Sequence, residues 1–390
     1  MYRDHTVGVV VPAYNEEGHV GAVLDEIPAF VDRVYVVDDA STDGTWDEIC
    51  AYAETADAGE RAQSGEDGAP ADESEGDAPA GAATAADGGE PNEAGRGSEV
   101  ASDGGVAESG PTVVPIRHEE NRGAGGALKT GYLRAREEGV DVTVTIDADG
   151  QMDPGIMPRF LDPIVAGEAD YTKGNRLANP AYREEMPRFR QVGNWILTYL
   201  TRIASGYWRM SDPQNGYTAV SLEALWAIDL EGMYEYYGYC NDVLVKLNAA
   251  GMTVADVSMP AKYGDEESSI DYVEYIPKVS GMLFRNFCWR LRERYGPTDP
   301  VSLAYGAGTA GGLLAAGSAL AAARRAAASA VGSAEDGTED SDGDTASAAA
   351  RNALGALFAG TLAVLAGMAL DARANEGREA HEFADREGER

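Results

Sequence analysis

Lysine is scarce in this sequence, and the shortage of basic residues limits the possible partners. Among 390 residues there are 66 Asp and Glu but only 31 Lys and Arg, five of them lysines, and the formal net charge is −35. Because no basic stripe is available to neutralise phosphates, we expect no nucleic-acid partner. The acidic, lysine-poor composition favours a halophilic source, since concentrated salt screens the repulsion among the charges.

Cysteine is also scarce, which argues against a disulfide-stabilised secreted protein. Cys50, Cys240 and Cys288 are odd in number and lack the spacing of a metal site, so we expect free thiols in a reducing compartment. The first apolar run, residues 7–11, is too short for the apolar region of a signal peptide. We therefore expect the N-terminal domain to stay in the cytoplasm.

One long segment lacks the residues that build a hydrophobic core. Between residues 54 and 110 there is no aromatic residue and no Ile, Leu or Met, and Val100 and Val106 are the only larger aliphatic residues. Such a segment cannot bury enough apolar surface to offset its chain entropy. The composition predicts a disordered acidic insertion over residues 54–110.

Around this insertion, predicted strands alternate with predicted helices. Apolar, β-branched runs predict strands at residues 7–11, 34–37, 112–116, 142–146 and 254–259. Helices are predicted at residues 16–27, 44–52 and 123–138. This alternation predicts an α/β fold with a mostly parallel sheet and helices on both of its faces.

Two carboxylates follow the predicted strand at 142–146. Asp147 and Asp149, with Gln151, place oxygen ligands at the carboxyl end of a parallel strand, where open α/β sheets bind ligands. Mg²⁺ or Mn²⁺ prefers such ligands and can neutralise a departing nucleotide diphosphate. Alone, Asp-x-Asp is more typical of an ordinary turn, but the motifs elsewhere in the chain favour the metal site.

Polar residues also follow the first two predicted strands. Pro12, Tyr14 and Glu16 come after the first strand, and Asp38 and Asp39 end the second. All of them fall at the edge of the sheet where the predicted metal site lies. A carboxylate at this edge can accept hydrogen bonds from a nucleobase or a ribose.

Six motifs in a fixed order carry a family resemblance: VVVPAYNEE, VVDDASTDGT, NRGAGGALKTGY, DADGQMDP, KGNR and SDPQNGY. Over about residues 6–295, without the insertion, the chain resembles the family-2 glycosyltransferases with the GT-A fold. Within them it is most similar to the dolichol-phosphate or polyprenyl-phosphate mannose or glucose synthases. The resemblance implies a Rossmann-like GT-A domain and inverting transfer of a hexose from a UDP- or GDP-linked sugar to dolichyl or polyprenyl phosphate. Protein N-glycosylation is the process it implies.

The resemblance also implies roles for individual residues. The nucleotide-sugar pocket would be lined by Pro12, Tyr14, Glu16, Asp38, Asp39, Asp147 and Lys262. The metal would be held by Asp147, Asp149 and Gln151, with Asp149 central to catalysis. Gln151 favours the lipid-phosphate synthases, which carry Gln at this point after Asp-x-Asp.

The acceptor phosphate is assigned by the resemblance to two arginines. Arg176 and Arg190 would hold it, because a planar guanidinium pairs with two phosphate oxygens at once. The alternative for each arginine is a surface ion pair with Glu184 or Glu185. Lys262 would lie near the phosphates of the donor.

Asp242 separates the leading hypothesis from its main rival. A phosphate acceptor is already ionised, whereas a sugar hydroxyl needs a general base. Asp242 follows Cys240 and Asn241, where many relatives carry an acidic pair, so it is either that base or a structural or acceptor-orienting residue. Two other functions stay open: transfer to a hydroxyl of a glycan or lipid-linked saccharide, and a non-catalytic membrane scaffold that kept a nucleotide pocket.

The C-terminal part is expected to anchor the GT-A domain, residues 1–295, to a membrane. Residues 301–323 contain no charge and are long enough to span a bilayer, and residues 353–370 form a second uncharged run. An acidic linker, 324–352, joins them, and 371–390 form a polar tail. We expect a two-helix transmembrane hairpin with the catalytic domain in the cytoplasm. The alternative is a soluble, Ala-rich helical hairpin.

Two further features bear on the membrane. The spacing of Gly308 and Gly312 would allow close contact between helices in lipid. Residues 276–295 mix large apolar residues with Arg and Lys, which is typical of a helix at the membrane surface. The same pattern fits a helix packed on the catalytic domain.

Overall fold

The computed structural model describes residues 1–64, 110–177, 188–260, 272–332 and 342–380. Its strands are β1 (Val7–Ala13), β2 (Arg33–Asp38), β3 (Thr112–Arg117), β4 (Val142–Thr145), β5 (Tyr171–Asn175), β6 (Thr218–Ser221) and β7 (Val254–Ser258). The α-helices in these ranges are α1 (Val20–Asp25), α2 (Thr45–Ser64), α3 (Ala124–Glu137), α4 (Met157–Val165), α5 (Arg188–Ser205), α6 (Leu222–Ala227), α7 (Tyr239–Ala250), α8 (Tyr272–Arg290), α9 (Pro300–Gly332) and α10 (Asp342–Ala374).

The strands form one mostly parallel sheet in the order β3-β2-β1-β4-β6-β5-β7. Only β6 runs antiparallel to its neighbours, β4 and β5. The chain builds outward from β1 through β2 to β3 and then returns to place β4 on the other side of β1. The order therefore reverses between β1 and β4, and this switch point is where open α/β sheets bind ligands.

Alternation along the strands builds a core on each face of the sheet. Val9 and Val11 of β1 pack with residues of α1, α2 and α4, whereas Val10 between them packs with α3, α6 and α7. Successive side chains of a strand point to opposite faces, so a run of valines can serve both cores. The predicted sheet with helices on both faces is confirmed.

Two predicted boundaries differ from the structure. The second helix continues to Ser64, beyond residue 54, where the insertion was predicted to begin. The rest of that segment, 65–109, lies outside the described residues. The first helix is shorter than predicted, because residues 16–19 form a turn in which His19 N donates to Glu16 O over 3.0 Å before α1 begins.

The two C-terminal helices pack against each other as a hairpin. Residues Pro300–Ala327 and Ser347–Ala374 are long and apolar enough to cross a membrane by length and composition. Large apolar side chains on both helices are exposed, among them Leu313 at 70% and Phe358 at 68%. The hairpin presents an apolar exterior, as a membrane-spanning pair would.

Gly308 and Gly311 bring the two helices of the hairpin together. A Cβ on Gly311 would lie 2.6 Å from Gly360 Cα, and one on Gly308 would lie 3.1 Å from Gly360 O. Among the described residues, nothing lies within 4 Å of a Cβ built on Gly312, so its predicted contact is wrong. Gly308, Gly311 and the buried Ala315 follow the helical spacing that defines the contact face, and Gly312 lies off that face.

Candidate active site

A cleft of about 540 Å³ opens at the switch point of the sheet. The register sets Val10 beside Thr145 and Ala13 beside Asp38, so the segments that follow β1, β2 and β4 emerge side by side. The cleft brings together six of the residues predicted from the sequence: Pro12, Tyr14, Glu16, Asp39, Asp147 and Asp149.

The loops after β1 and β2 are joined by hydrogen bonds. Asn15 N donates to Ser41 Oγ over 3.0 Å, and Asn15 Oδ1 accepts from Thr42 N over 2.9 Å. Asn15 and Ala40 both have positive φ, 58° and 61°, a conformation that costs free energy in a residue other than glycine. The reciprocal bonds stabilise this backbone, and they fix the first two segments of the cleft relative to each other.

Asp39 lines the cleft and organises a third loop. Its Oδ1 accepts from Arg122 N over 2.9 Å, and its Oδ2 accepts from Gly123 N over 2.7 Å. His118 Nδ1 lies 2.7 Å from the same Oδ1. Gly123 has φ 79° and sits against Glu235 O, so a side chain would fit neither the backbone nor the space.

Asp38 lies under the cleft and is not part of its lining. Its Oδ1 accepts from Ser41 N over 3.1 Å, and its Oδ2 lies 3.1 Å from Arg117 Nε. The side chain is wholly buried. Of the two carboxylates predicted to read the base or ribose, the structure therefore brings only Asp39 to the cleft.

Asp147 and Asp149 enter the cleft together after β4. Asp149 Oδ1 accepts from Gln151 N over 2.9 Å, and Gly150 between them adopts φ 70° to make this turn. Gly216 gives Asp147 its space, because a Cβ there would lie 3.1 Å from Asp147 Oδ2. The turn that holds Asp149 and the space that Asp147 occupies thus both depend on glycine.

Burial and a neighbouring charge both disfavour ionisation of Asp147. Its surroundings are mostly protein, and its partial exposure is to the cleft. Burial, followed by the charge of Asp149, raises the pKa of Asp147 to about 7, while the charge of Arg176 acts in the opposite direction. Two carboxylates that repel each other in a cleft suit a bound cation, which would relieve the repulsion.

The residues present fit a divalent cation whose coordination is completed by other oxygens. Among the described residues, no group of three or more His, Cys, Asp or Glu is placed to hold a metal. A site here would consist of Asp147 and Asp149 with non-carboxylate ligands, as is usual for Mg²⁺ bound with substrate phosphates. The side chain of Gln151 is not part of the cleft lining, although its backbone orients Asp149.

Arg176 is held beside the cleft by Asp212. Arg176 Nε donates to Asp212 Oδ2 over 2.8 Å, and Arg176 Nη2 donates to Asp212 Oδ1 over 3.0 Å. Burial alone would raise the pKa of Asp212, but the charge and hydrogen bonds of Arg176, with the charge of Lys173, hold it below its ordinary value. Arg176 is near enough to Asp147 for its charge to favour ionisation of that carboxyl group.

Two other predicted phosphate ligands lie outside what the structure describes. Arg190 belongs to the first turn of α5, but its side chain is outside the described residues. Lys262, and the alternative ion-pair partners Glu184 and Glu185, also lie outside them.

Asp242 connects α7 to the segment before it and to α8 through hydrogen bonds, and it does not line the cleft. Its Oδ2 accepts from Tyr234 N over 2.9 Å, and its Oδ1 accepts from Asn286 Nδ2 over 2.5 Å. The side chain is buried, and this burial raises its pKa even though Lys246 lies 3.9 Å away. Of the roles that the sequence left open, these contacts favour the structural one.

Sequence reasoning missed a group of polar and aromatic residues in the lining of the cleft. Tyr236, Tyr237 and Asn241 line it, together with Gln214 and Tyr275, whose side chains hydrogen-bond to each other. Asn241 is wholly buried. Its Nδ2 donates to an α5 hydroxyl, but its Oδ1 has no hydrogen-bond partner in the described part of the chain. The one signal in the sequence was the concentration of tyrosines over residues 234–239.

Part of the chain matches the model of a known protein family. Residues 8–62 and 101–229 match the family model described as Glycosyl transferase family 2. With this match, the sheet topology and the helices on both faces confirm the GT-A fold.

Similar proteins include several lipid-phosphate glycosyltransferases. The UDP-N-acetylglucosamine–dolichyl-phosphate N-acetylglucosaminyltransferase of Methanococcus voltae is 34% identical over 151 residues, which are 39% of this chain and 60% of the relative. The undecaprenyl-phosphate mannosyltransferase of Micrococcus luteus is 30% identical over 39% of this chain and 61% of the relative. The chain thus spans less than two thirds of the length of these relatives.

Two matches extend further along the chain. The polyprenol monophosphomannose synthase of Mycolicibacterium smegmatis is 24% identical over 294 residues, 73% of this chain and 85% of the relative. Among solved structures, glucosyl-3-phosphoglycerate synthase from Mycobacterium tuberculosis, in complex with Mn²⁺, UDP and glucosyl-3-phosphoglycerate, is 17% identical. It covers 74% of this chain and 80% of its own, with a TM-score of 0.44.

Proposed function

Because the chain carries a glycosyl transferase family 2 domain, we propose that it transfers a hexose from a UDP- or GDP-linked sugar to dolichyl or polyprenyl phosphate. Three of the relatives support this proposal by their names, which give dolichyl phosphate, undecaprenyl phosphate and polyprenol monophosphomannose. Protein N-glycosylation is the process we propose for the product. The enzyme is inverting, since a single displacement at the anomeric carbon reverses its configuration.

The observation that carries this proposal is the composition of the cleft at the switch point. Asp147 and Asp149 face it from the end of β4, and Tyr14, Glu16 and Asp39 face it from the ends of β1 and β2. The cleft therefore combines metal-type carboxylates with groups able to contact a nucleoside. It suits a nucleotide sugar with its diphosphate near the two aspartates.

We propose that Asp147 and Asp149 hold Mg²⁺ or Mn²⁺. Gln151 lies outside the cleft lining and contacts Asp149 through its backbone, so it would become a third ligand only by turning its side chain toward the cation. When bound, the cation would neutralise the nucleoside diphosphate that leaves. The residues of the chain would supply the rest. Asp39, Tyr14 and Glu16 would position the nucleoside, and Gly216 leaves the room that the Asp147 carboxylate needs in the cleft.

The acceptor phosphate supplies its own nucleophile. One of its anionic oxygens attacks the anomeric carbon, the bond from that carbon to the diphosphate oxygen breaks, and the leaving diphosphate takes the electron pair. No proton has to be removed from the acceptor, so no general base is required. We propose that Arg176 orients this phosphate, because Asp212 fixes the plane of its guanidinium beside the cleft.

The position of Asp242 supports a phosphate acceptor over a sugar hydroxyl. A hydroxyl acceptor needs a base within hydrogen-bond reach, and Asp242 is instead held by Tyr234 N and Asn286 away from the cleft lining. The paired carboxylates in the cleft argue against a non-catalytic scaffold, because a protein without activity does not require a metal-binding pair.

We propose that the apolar hairpin of α9 and α10 spans the membrane and holds the catalytic domain at the cytoplasmic face, where nucleotide sugars are found. Exposed apolar residues on α8 support a position at the lipid surface, with Phe284 exposed at 70% and Ile276 at 49%. Other side chains of α8, among them Val279 and Leu283, are buried in a cluster with residues of α5 and α7. We therefore propose that α8 packs on the catalytic domain with its buried side chains and contacts lipid with its exposed ones.

A transfer assay tests the proposal. Membranes that contain the protein are given dolichyl phosphate with Mg²⁺ or Mn²⁺ and labelled UDP-glucose, UDP-N-acetylglucosamine or GDP-mannose, each alone. A labelled lipid phosphate product with one donor supports the proposal and identifies the sugar. No lipid product with any donor, while a nucleotide sugar still binds, would contradict a lipid phosphate acceptor.

A further inference from the structure

The chain returns to the catalytic domain after the second apolar helix. Residues 375–380 follow α10 and run along the outer edge of β7, where Glu379 forms a parallel bridge with Val254. Val254 N donates to Arg378 O over 2.9 Å, and Ala380 N donates to Val254 O over 2.9 Å. We call residues 375–380 the return segment. It extends the sheet by one short pairing on the side away from β5.

A buried ion pair fixes where the return segment begins. Arg290 at the end of α8 donates from Nη2 to Asp371 Oδ2 over 2.8 Å and from Nη1 to Asp371 Oδ1 over 3.0 Å, and both side chains are wholly buried. Asn375 Oδ1 accepts from Asn248 Nδ2 over 2.9 Å. The end of α10 is therefore locked to α7 and α8 of the catalytic domain.

Glu379 of the return segment captures a loop of the catalytic domain. Its Oε2 accepts from Trp208 N over 3.0 Å, and its Oε1 accepts from Arg209 N over 2.7 Å and from Met210 N over 2.8 Å. Three successive backbone donors on one carboxylate form charge-assisted bonds, which are stronger than neutral ones. The loop over residues 208–212 is thus held from outside the sheet.

The captured loop ends at the residue that holds Arg176. Ser211 N donates to Asp256 Oδ2 over 2.8 Å, and Lys173 Nζ donates to Ser211 O. Asp212 has φ 47°, a strained conformation that persists only when its surroundings enforce it. Asp212 then forms the paired hydrogen bonds with Arg176 that set the plane of the guanidinium.

We propose that Glu379 is a positioning residue for the acceptor phosphate. It acts through the backbone of residues 208–210, which carries Asp212 and so places Arg176. Because the return segment is anchored to the end of α10, the same contacts tie the phosphate-binding arginine to the membrane anchor. This inference rests on the proposed function, in which Arg176 orients the acceptor.

The test uses the full chain in membranes and measures KM separately for dolichyl phosphate and for the nucleotide sugar. The variants are Glu379→Ala and Glu379→Gln, with Glu376→Ala as the matched control, because Glu376 is an exposed acid on the same segment. We expect Glu379→Ala to raise KM for dolichyl phosphate about tenfold, the effect of losing charge-assisted hydrogen bonds at one group. In Glu379→Ala, KM for the nucleotide sugar should stay within twofold of the wild-type value. Glu379→Gln should have a KM for dolichyl phosphate between those of wild type and Glu379→Ala, and Glu376→Ala should match wild type.

A double variant separates positioning from general stability. In an Arg176→Ala background, Glu379→Ala should cause no further rise in KM for dolichyl phosphate, because the residue it positions is gone. If Glu379→Ala raises KM equally for dolichyl phosphate and for the nucleotide sugar, the role of Glu379 is only structural and the proposal is overturned. The same holds if the effects of Glu379→Ala and Arg176→Ala on KM for dolichyl phosphate multiply in the double variant. An unchanged KM in Glu379→Ala with nucleotide-sugar binding intact would overturn it as well.

The same data distinguish failure of the inference from failure of the proposed function. If Arg176→Ala itself leaves KM for dolichyl phosphate unchanged, the assigned role of Arg176 is wrong, and the inference falls with it. If Arg176→Ala raises that KM and Glu379→Ala does not, the proposed function stands and only the role of Glu379 is refuted.

Discussion

Arg176 and Asp212 face each other through two hydrogen bonds of 2.8 and 3.0 Å, and the side chain of Asp212 is buried while that of Arg176 is 31% exposed. A carboxylate that is buried and fully paired cannot move without breaking both bonds. The exposed part of the arginine can then contact a ligand in one fixed orientation. We therefore propose that this pair fixes the position of the acceptor phosphate relative to the sheet.

Neutralising the buried carboxylate should impair the use of the acceptor. In Asp212→Asn, the guanidinium loses its charged partner and its fixed plane, so we expect KM for dolichyl phosphate to rise about tenfold or more while KM for the nucleotide sugar changes little. Steady-state kinetics with each substrate varied in turn measures this. A selective rise in KM for the nucleotide sugar would contradict the assignment of Arg176 to the acceptor.

The same pair should make a pH-dependent contribution to stability. The pKa of Asp212 is lowered in the folded protein, so its contribution is complete above the ordinary value of 3.8 and is lost as the pH falls through the lower, folded-state pKa. At pH 7 we expect the free energy of unfolding of wild type to exceed that of Asp212→Asn by about 1–3 kcal/mol. This range is already reduced to allow for solvent screening at the partly exposed Arg176. Chemical unfolding of both proteins at several pH values should show the difference shrinking below the ordinary pKa. A difference that grows in acid would contradict this.

Gly131 sets how closely α3 approaches β1. A Cβ at this position would lie 2.3 Å from Val10 Cγ1, inside any real contact distance. Gly131→Ala should therefore reduce the free energy of unfolding by about 1–3 kcal/mol through overpacking. Gly281→Ala in α8 is the control, because no described residue lies within 4 Å of the Cβ that it adds. Helix propensity predicts a gain of about 0.5–1 kcal/mol for this variant. If thermal unfolding shows equal shifts for the two variants, the close contact is not a determinant of stability.

The packing of the two hairpin helices should depend on Gly311 but not on Gly312. Gly311→Val would drive a side chain into Gly360, whereas Gly312→Val points into open space. We expect only the first variant to lower the midpoint of thermal unfolding in detergent, since both have the same intrinsic helix propensity. Equal midpoints would mean that the helices do not pack on this face.

Most of the parallel sheet could be predicted because its strands are continuous apolar runs. The strands β5 and β6 were not predicted, since their five and four residues mix polar and apolar side chains and carry no period. The antiparallel direction of β6 is set by its pairing with β4 and β5. The return segment was predicted only as part of a polar tail. Its pairing with β7 depends on where α10 ends, and local sequence does not contain that information.

The candidate site could be predicted where a motif ends a strand, as with Asp147 and Asp149. The sequence could not decide between Asp38 and Asp39, because adjacent residues at a strand end point in opposite directions and the pattern does not say which one meets the cleft. The structural contacts of Asp242 were also hidden, since one partner, Asn286, lies on a helix far along the chain.

The most direct test of the central claim is the metal dependence of lipid glycosylation in Asp149→Ala. Full-length wild type, Asp149→Ala and the surface control Glu168→Ala are assayed with dolichyl phosphate, the active nucleotide sugar, and Mg²⁺, Mn²⁺ or a chelator. The account predicts metal-dependent product for wild type and control, and none for Asp149→Ala despite correct folding. Normal transfer by Asp149→Ala, or transfer by wild type that persists in the chelator, would contradict the proposed site.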